Sequence, residues 1–123
     1  MANPVSWFEI ATFDIERAKT FYEKVFLRKF KYMEVNGEKL YIFDADYEGY
    51  GSGGALIESK TFKPSTESGI IIYFSSEDVA IEAARVEDAG GKLIQGKTSL
   101  GDPGFIAQFV DTEGNKIGLY SGK

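Results

Sequence analysis

The hydrophobic pattern changes period twice within the first forty-four residues. From Trp7 to Thr12 it has the two-residue repeat of a strand, with Trp7, Glu9 and Ala11 on one face and Phe8, Ile10 and Thr12 on the other. Asp14 then stands where a helix N-cap belongs. Ile15, Ala18, Phe21 or Tyr22, Val25 and Phe26 recur at helical spacing, which predicts a helix ending near Phe26. Lys29 to Val35 alternates again, Asn36-Gly37 is a hairpin signal, and Lys39 to Asp44 returns as the partner strand. The glycine-dense run from Tyr47 to Gly54 reads as a connection, followed by a short strand over Ala55 to Ser59. If the helix covers Phe8 and Ile10, Glu9 is left on the opposite face beside the Trp7 indole.

Thr61 to Gly69 reads as a linker, and the same order then recurs. Gly69 to Phe74 is a strand. Ser75 or Ser76 is placed to cap a helix with Val79, Ala83, Val86 and Ala89 on one face, stopped by Gly90-Gly91. Lys92 to Gln95, Phe105 to Val110 and Lys116 to Ser121 follow as strands, separated by a Gly101 to Gly104 loop and a turn over Asp111 to Asn115. Setting Asp14 over Asp78 puts Trp7 over Ile71, Glu9 over Tyr73 and Phe30 near Leu93. It also brings Ala55-Leu56-Ile57 into register with Gly118-Leu119-Tyr120, at an offset of about sixty-four residues. The chain therefore reads as one domain, 1–123, made of two tandem βαβββ modules at about 4–60 and 69–123 with a linker at about 61–68. Each module alone would expose one sheet face. Together they predict an α+β fold in which a curved, barrel-like sheet encloses a cavity lined by Trp7, Glu9, Ile71 and Tyr73, with the helices outside.

Composition narrows the chemistry. The chain has no cysteine, which excludes disulfides, thiol nucleophiles and thiolate metal sites and suits a reducing, cytoplasmic setting. It has no histidine either, so a His-based general base and the commonest transition-metal ligand are both missing. A net charge of -5 disfavours nucleic acid, whose binding is driven by neutralising phosphates, and favours a cationic ligand. No apolar run is long enough to span a bilayer and no secretory signal is visible, so neither a membrane nor export is expected.

The opening Trp7-Phe8-Glu9-Ile10, followed by Asp14-Ile15-Glu16-Arg17-Ala18 and Phe21-Tyr22-Glu23, resembles the start of the vicinal oxygen chelate superfamily. This superfamily includes glyoxalase I, bleomycin-resistance proteins and extradiol dioxygenases. Phe109-Val110-Asp111-Thr112-Glu113-Gly114-Asn115-Lys116-Ile117 resembles its closing turn. The resemblance spans the chain and implies the two-module fold, although the fold does not fix an activity. In metal-dependent members four equivalent strand positions supply the ligands, typically His or Gln at the first and third and Glu at the others. Carried onto this sequence the positions are Trp7, Ala55, Ile71 and Gly118, none of which can coordinate: an indole N–H only donates, and the other three have no ligand atom. No metal and no cofactor are expected.

Glu9 is the remaining carboxylate on that face. It can point to solvent or pair with a lysine or arginine; in an apolar cavity it would serve as a general base or as the anchor for a cation. Trp7, Tyr41, Tyr73 and Tyr120 can be core or interface aromatics or a ligand platform, and alternation puts Trp7, Tyr73 and Tyr120 opposite the helices. The Gly49 to Gly54 run lacks the lysine of a phosphate loop, and Asp111 to Asn115 lacks calcium-loop spacing and reads as a hairpin turn. Bleomycin-resistance proteins, which are acidic, lack the metal and hold a cationic drug without chemistry, are the nearest functional analogue that the resemblance implies. The expectation is a homodimer that binds a small aromatic or cationic molecule between its modules through Trp7, Glu9, Tyr41, Ala55, Ile71, Tyr73, Gln108, Gly118 and Tyr120. Its rivals are a glyoxalase-like lyase or isomerase, with Glu9 abstracting a proton and a tyrosine or Gln108 holding the oxyanion, and a domain with a purely structural role.

Overall fold

Asp14 starts the first helix as the pattern predicts. Its backbone is extended and its carboxylate accepts the Arg17 amide at 3.1 Å. In the computed structural model, which describes residues 5–46, 51–67, 69–102 and 104–123, β1 (Trp7–Ala11) leads directly into α1 (Ile15–Phe26). Ile15, Ala18, Phe21, Tyr22 and Val25 form the buried stripe of α1, and the helix ends where Leu27 turns left-handed at φ 53°. β2 (Phe30–Val35) and β3 (Glu38–Phe43) form the hairpin across Asn36-Gly37, both of which have positive φ, as its tight turn requires. β4 (Gly53–Glu58) completes the first module, two residues earlier than the pattern suggests, with Gly53 and Gly54 inside the strand. Tyr47 to Tyr50, part of the expected connection, lie outside the described residues.

The second module follows as β5 (Ile72–Ser75), α2 (Val79–Ala83), β6 (Lys92–Ser99), β7 (Phe105–Val110) and β8 (Lys116–Ser121). Asp78, and not Ser75 or Ser76, caps α2. Its carboxylate accepts the Ala80 amide at 3.0 Å, whereas the Ser76 hydroxyl accepts the Asp78 amide and is held by Glu82. The regular helix is one and a half turns long and continues as irregular turns that still bury Val86 before Gly90, at φ 102°, reverses the chain. β6 runs four residues beyond the expected Gln95, at the expense of shifts in its pairing with β7 on either side of Gln95.

The duplication is visible in individual bonds. The amides of Thr12 and Ser76 donate to the carbonyls of Ile57 and Tyr120, each at 2.8 Å. The first helical amides, Ile15 and Val79, donate to the Glu58 carboxylate at 3.0 Å and the Ser121 hydroxyl at 3.1 Å, so the last strand of each module supplies a side chain to its own helix. Each module forms a four-stranded sheet, in the orders β1-β4-β3-β2 and β5-β8-β7-β6, with the first strand parallel to the last. The sheets stay separate and do not close into a barrel: β1 and β5 are both edge strands, and no backbone hydrogen bond joins them.

The core belongs to both modules. Phe74 of β5 contacts the rings of Phe8, Phe26 and Phe43 at centroid distances of 5.9, 4.6 and 5.7 Å, and Phe21 of α1 reaches Phe109 of β7 at 5.8 Å. The turn between β7 and β8 locks this packing with two carboxylates. Glu113, whose side chain is wholly enclosed, accepts the amides of Phe13 and Asp14 at 2.8 and 2.7 Å, the Thr112 hydroxyl at 2.9 Å and a two-pronged contact from Arg17 at 2.7 and 3.1 Å. Asp111 accepts the Tyr22 hydroxyl at 2.8 Å and the amides of Glu113 and Asn115 at 2.8 and 2.9 Å. The Asn115 side chain donates to Asp111 at 3.1 Å and crosses to the Ala11 carbonyl at 2.8 Å. In the sequence this segment reads only as a turn.

Burial by itself would raise the Glu113 pKa. The donors around it, led by Arg17, outweigh burial and hold the group below its ordinary value. The stabilisation it provides is therefore complete above the unfolded-state pKa and is lost as pH falls through the lower folded value. Asp111 has the opposite sign, since burial holds its pKa up, and ionising it costs stability as pH rises through the raised value. Glu113→Gln is expected to lower unfolding free energy by about 2–4 kcal/mol at neutral pH, as for breaking one side of an enclosed charged pair. Relative to the parent protein it should also flatten the loss of stability below about pH 4. Urea titrations at a series of pH values would measure both effects.

Candidate functional site

Strand register decides which side chains share a face. In the first module Glu9 is level with Ala55 and Ile42, and Ala11 with Ile57 and Leu40. A shallow depression of about 360 Å³ lies over this open face, lined mainly by apolar side chains with Glu9, Glu38 and Asn36 among them, and Lys31 lies on the same face level with Ile42. In the second module Tyr73 is level with Gly118 and Gln108, and Ser75 with Tyr120 and Ile106. These faces carry Trp7 and Glu9 on one module and Tyr73, Gln108 and Tyr120 on the other.

A cleft of about 1160 Å³ runs between the two sheets. Its walls include every residue of β1 and every residue from Ile70 to Ser75. A strand that showed only one face would contribute alternate residues, so consecutive ones mean that the cleft meets both strands along their unpaired edges. Phe8 lies against Phe74 near the start of β1. At the other end, the Ala11 carbonyl is held by Asn115, which precedes β8 and is therefore level with the start of β5. The two edges therefore run in opposite directions past each other. Phe8, Phe43 and Phe74 form the apolar floor.

Apart from Glu9, midway along β1, the charged lining is divided between the ends. Asp44 and Asp46 follow β3 and sit level with the start of β1, where Arg28 also lies. Lys63 and Lys116 lie at the opposite end, where Asn115 binds both the Ala11 carbonyl and, through its side-chain oxygen at 3.3 Å, the Ser65 amide. These residues carry no motif in the sequence. The topology alone brings them to one cleft.

Of the residues anticipated from sequence, Trp7, Glu9, Ile71 and Tyr73 line this cleft together. Glu9 is exposed at its rim, and its carboxylate accepts the Trp7 indole N–H at 3.3 Å. Gln108 donates to the Tyr73 hydroxyl at 2.7 Å, which leaves the Tyr73 proton free to be given elsewhere. Tyr120, 39% exposed, shares the second module's open face without lining the cleft. Ala55 is fully buried in the floor of the first face. Tyr41 lies on the opposite, helix-facing side, where its hydroxyl donates to Glu16 at 2.7 Å and the Lys19 ammonium sits 5.1 Å from its ring. That hydrogen bond, followed by partial desolvation and then the charge of Glu16, raises the Tyr41 pKa.

Gly118 is explained by Tyr73, whose ring lies flat on it: a Cβ added at residue 118 would come within 2.4 Å of the ring carbons. A ligating side chain at this position would have to displace the tyrosine. With Trp7 able only to donate, Ala55 enclosed, and Ile71 and Gly118 without donor atoms, the four positions do not fit a divalent ion. Among the described residues no group of three or more Asp or Glu side chains is placed to hold one elsewhere.

Two βαβββ modules with β1 and β5 facing each other define the class to which the chain corresponds. The model of the Glyoxalase/Bleomycin resistance protein/Dioxygenase superfamily matches residues 5–119, and the chain belongs to that superfamily. Among solved structures, the E144Q variant of glyoxalase I from Zea mays is similar, with a TM-score of 0.76 and 23% identity over 97% of this chain. The present chain spans 47% of the maize protein, about half its length. TnmS3, an antibiotic binding protein from Streptomyces sp. CB03234, is similar over nearly its full length, with a TM-score of 0.72, 21% identity and coverage of 98% of this chain and 97% of that one. A glyoxalase/bleomycin resistance protein from the same Streptomyces matches with a TM-score of 0.70, 22% identity and coverage of 94% and 98%. A comparison with curated proteins finds no match. At these identities the similarities establish the fold.

Gly118→Ala should push the Tyr73 ring off the sheet, break its bond with Gln108 and lower stability by about 1–3 kcal/mol, the cost of overpacking. In the background of Tyr73→Ala the same substitution should cost little, and a double-mutant cycle would measure that coupling.

Proposed function

We propose that the protein is a binding member of this superfamily that holds a small aromatic or cationic molecule in the cleft between its modules without metal-assisted chemistry. The observation that carries this reading is the state of the four ligand-equivalent positions: Trp7, Ala55, Ile71 and Gly118, the last covered by Tyr73. The cleft offers what such a ligand needs in place of a metal, namely the half-exposed Trp7 indole as a face for a cation, the Glu9 carboxylate beside it and an apolar floor. The Tyr73–Gln108 pair adds a directed hydrogen-bond donor. TnmS3, an antibiotic binding protein, lends support through its matching fold.

A lyase or isomerase with Glu9 as base has less in its favour, because Glu9 is exposed at the rim and already accepts from Trp7. A homodimer belongs to the proposal: Trp7, Met33 and Val35 expose 39%, 40% and 43% of their surface around the open apolar face of the first module, a patch suited to a second copy. We place the protein in the cytoplasm on its lack of cysteine. Among the described residues no helix is long and apolar enough to cross a membrane.

Calorimetric titration with a panel of aromatic cations, ethidium and N-methylquinolinium among them, tests the central claim. Saturable binding that falls about tenfold in Glu9→Gln, with folding unchanged, is the expected result. Stoichiometric zinc, nickel, iron or manganese in the purified protein, found by mass spectrometry of its metal content, would refute it. Sedimentation equilibrium tests the dimer, which Val35→Glu should dissociate.

A further inference from the structure

Taking the cleft as the binding site, we propose that its ligand class is a short linear peptide that enters as an extended strand between the edges of β1 and β5. Three observations lead to this class. The first is the lining by consecutive residues of both strands, which places on facing walls two rows of backbone donors and acceptors that no strand pairs, apart from the Ala11 carbonyl that Asn115 holds at the far end. Such edges are templates for an added strand, and a peptide is the ligand whose own amides repeat at the matching spacing. The second is length. Trp7 to Ala11 spans about 13 Å at the ordinary rise of a strand, the reach of about five extended residues.

The third is charge. A free peptide carries an ammonium at one end and a carboxylate at the other. The cleft places Asp44 and Asp46 at the start of β1, and Lys63 and Lys116 at its far end. Arg28 shares the acidic end and is exposed there, so it moderates that end without reversing it. Lys63 donates to the Ser59 carbonyl at 2.8 Å and still carries its charge. Charge therefore sets the direction. The peptide runs parallel to β1 and antiparallel to β5, with its ammonium towards Asp44 and Asp46 and its carboxylate towards Lys63 and Lys116. Alternate side chains point to the Phe8, Phe43 and Phe74 floor and to the open face with Trp7 and Tyr73.

Trp7 is the only tryptophan and lies on the cleft wall, so its fluorescence reports occupancy directly. The probe is the pentapeptide Val-Thr-Val-Thr-Val with free termini, compared with its acetylated and amidated form and with versions N-methylated at residues two and four or at residues three and five. The expected result is saturable binding of the free peptide, weakened severalfold by blocking the termini and at least about tenfold by either pattern of N-methylation, because each pattern removes the donors to one edge. Asp44→Asn and Lys116→Gln should each weaken the free peptide severalfold and leave the blocked one unchanged.

Equal binding of free and blocked peptides, or sensitivity to only one N-methylation pattern, would overturn insertion between two edges. So would the absence of any saturable response from the free peptide at millimolar concentration. Protection of the β1 and β5 amides from hydrogen exchange in a peptide-free dimer would assign the edges to a second copy and also sink the proposal. Aromatic cations that bind while the pentapeptide does not would leave the binding-protein reading standing and remove only the peptide class.

Discussion

The enclosed carboxylate of Glu113 is the constraint on which the arrangement of the two modules depends. It comes from a turn in the second module, yet it accepts the backbone amides of Phe13 and Asp14 in the first, at the point where β1 becomes α1. An acceptor at a helix start satisfies donors that the helix leaves unpaired and meets the positive end of its dipole. Arg17, one turn into the same helix, then neutralises the charge that has been taken out of water. A hydrophobic contact could tolerate some sliding between the modules. Five directed bonds onto one carboxylate do not, and together with Asp111, Tyr22 and Asn115 they fix the angle at which the edges of β1 and β5 face each other.

Local signals in the sequence carried most of the element order. The Asp14 cap, the Asn36-Gly37 turn and the alternation of β1 each depend on residues within a few positions, and each is present in the structure. Misplacements arose where two local signals competed. Ser75 and Ser76 are good caps by residue type, but Asp78 holds the position, as the register of the duplication with Asp14 suggested. β6 extends through Gly96 because pairing with β7 outweighs the weak strand preference of Gln95 to Lys97. Tyr41 was beyond alternation alone, which defines two faces without saying which one a helix covers. Its bond to Glu16 in α1 settles that. The bond from Glu113 to Phe13 spans one hundred residues, and the charged ends of the cleft are assembled from segments equally remote in sequence, so neither left a local trace.

The two modules share one packing device but turn it to different sides of the sheet. Tyr73 lies on Gly118 in the second module much as Phe8 lies on Gly54 in the first, each ring packed on a glycine of the neighbouring parallel strand. In the first module the ring points to the core and stabilises it. In the second it points to the open side and occupies the space above Gly118. One structural device thus serves the interior in one copy and the surface in the other, which is possible because the copies differ by which side of the strand carries the aromatic residue.

The shared aromatic core also bears on how a duplicated protein could arise. Phe74 completes a cluster whose other members, Phe8, Tyr22, Phe26 and Phe43, belong to the first module. A solitary module would expose that cluster to water and could bury it only by meeting another module, so its folding would depend on concentration. Joining two modules through a short connection converts that encounter into an intramolecular one at an effective concentration on the order of millimolar. The covalent link also removes any need for the two modules to be identical, and Trp7 in the first stands where the second has Ile71, and Glu9 where it has Tyr73.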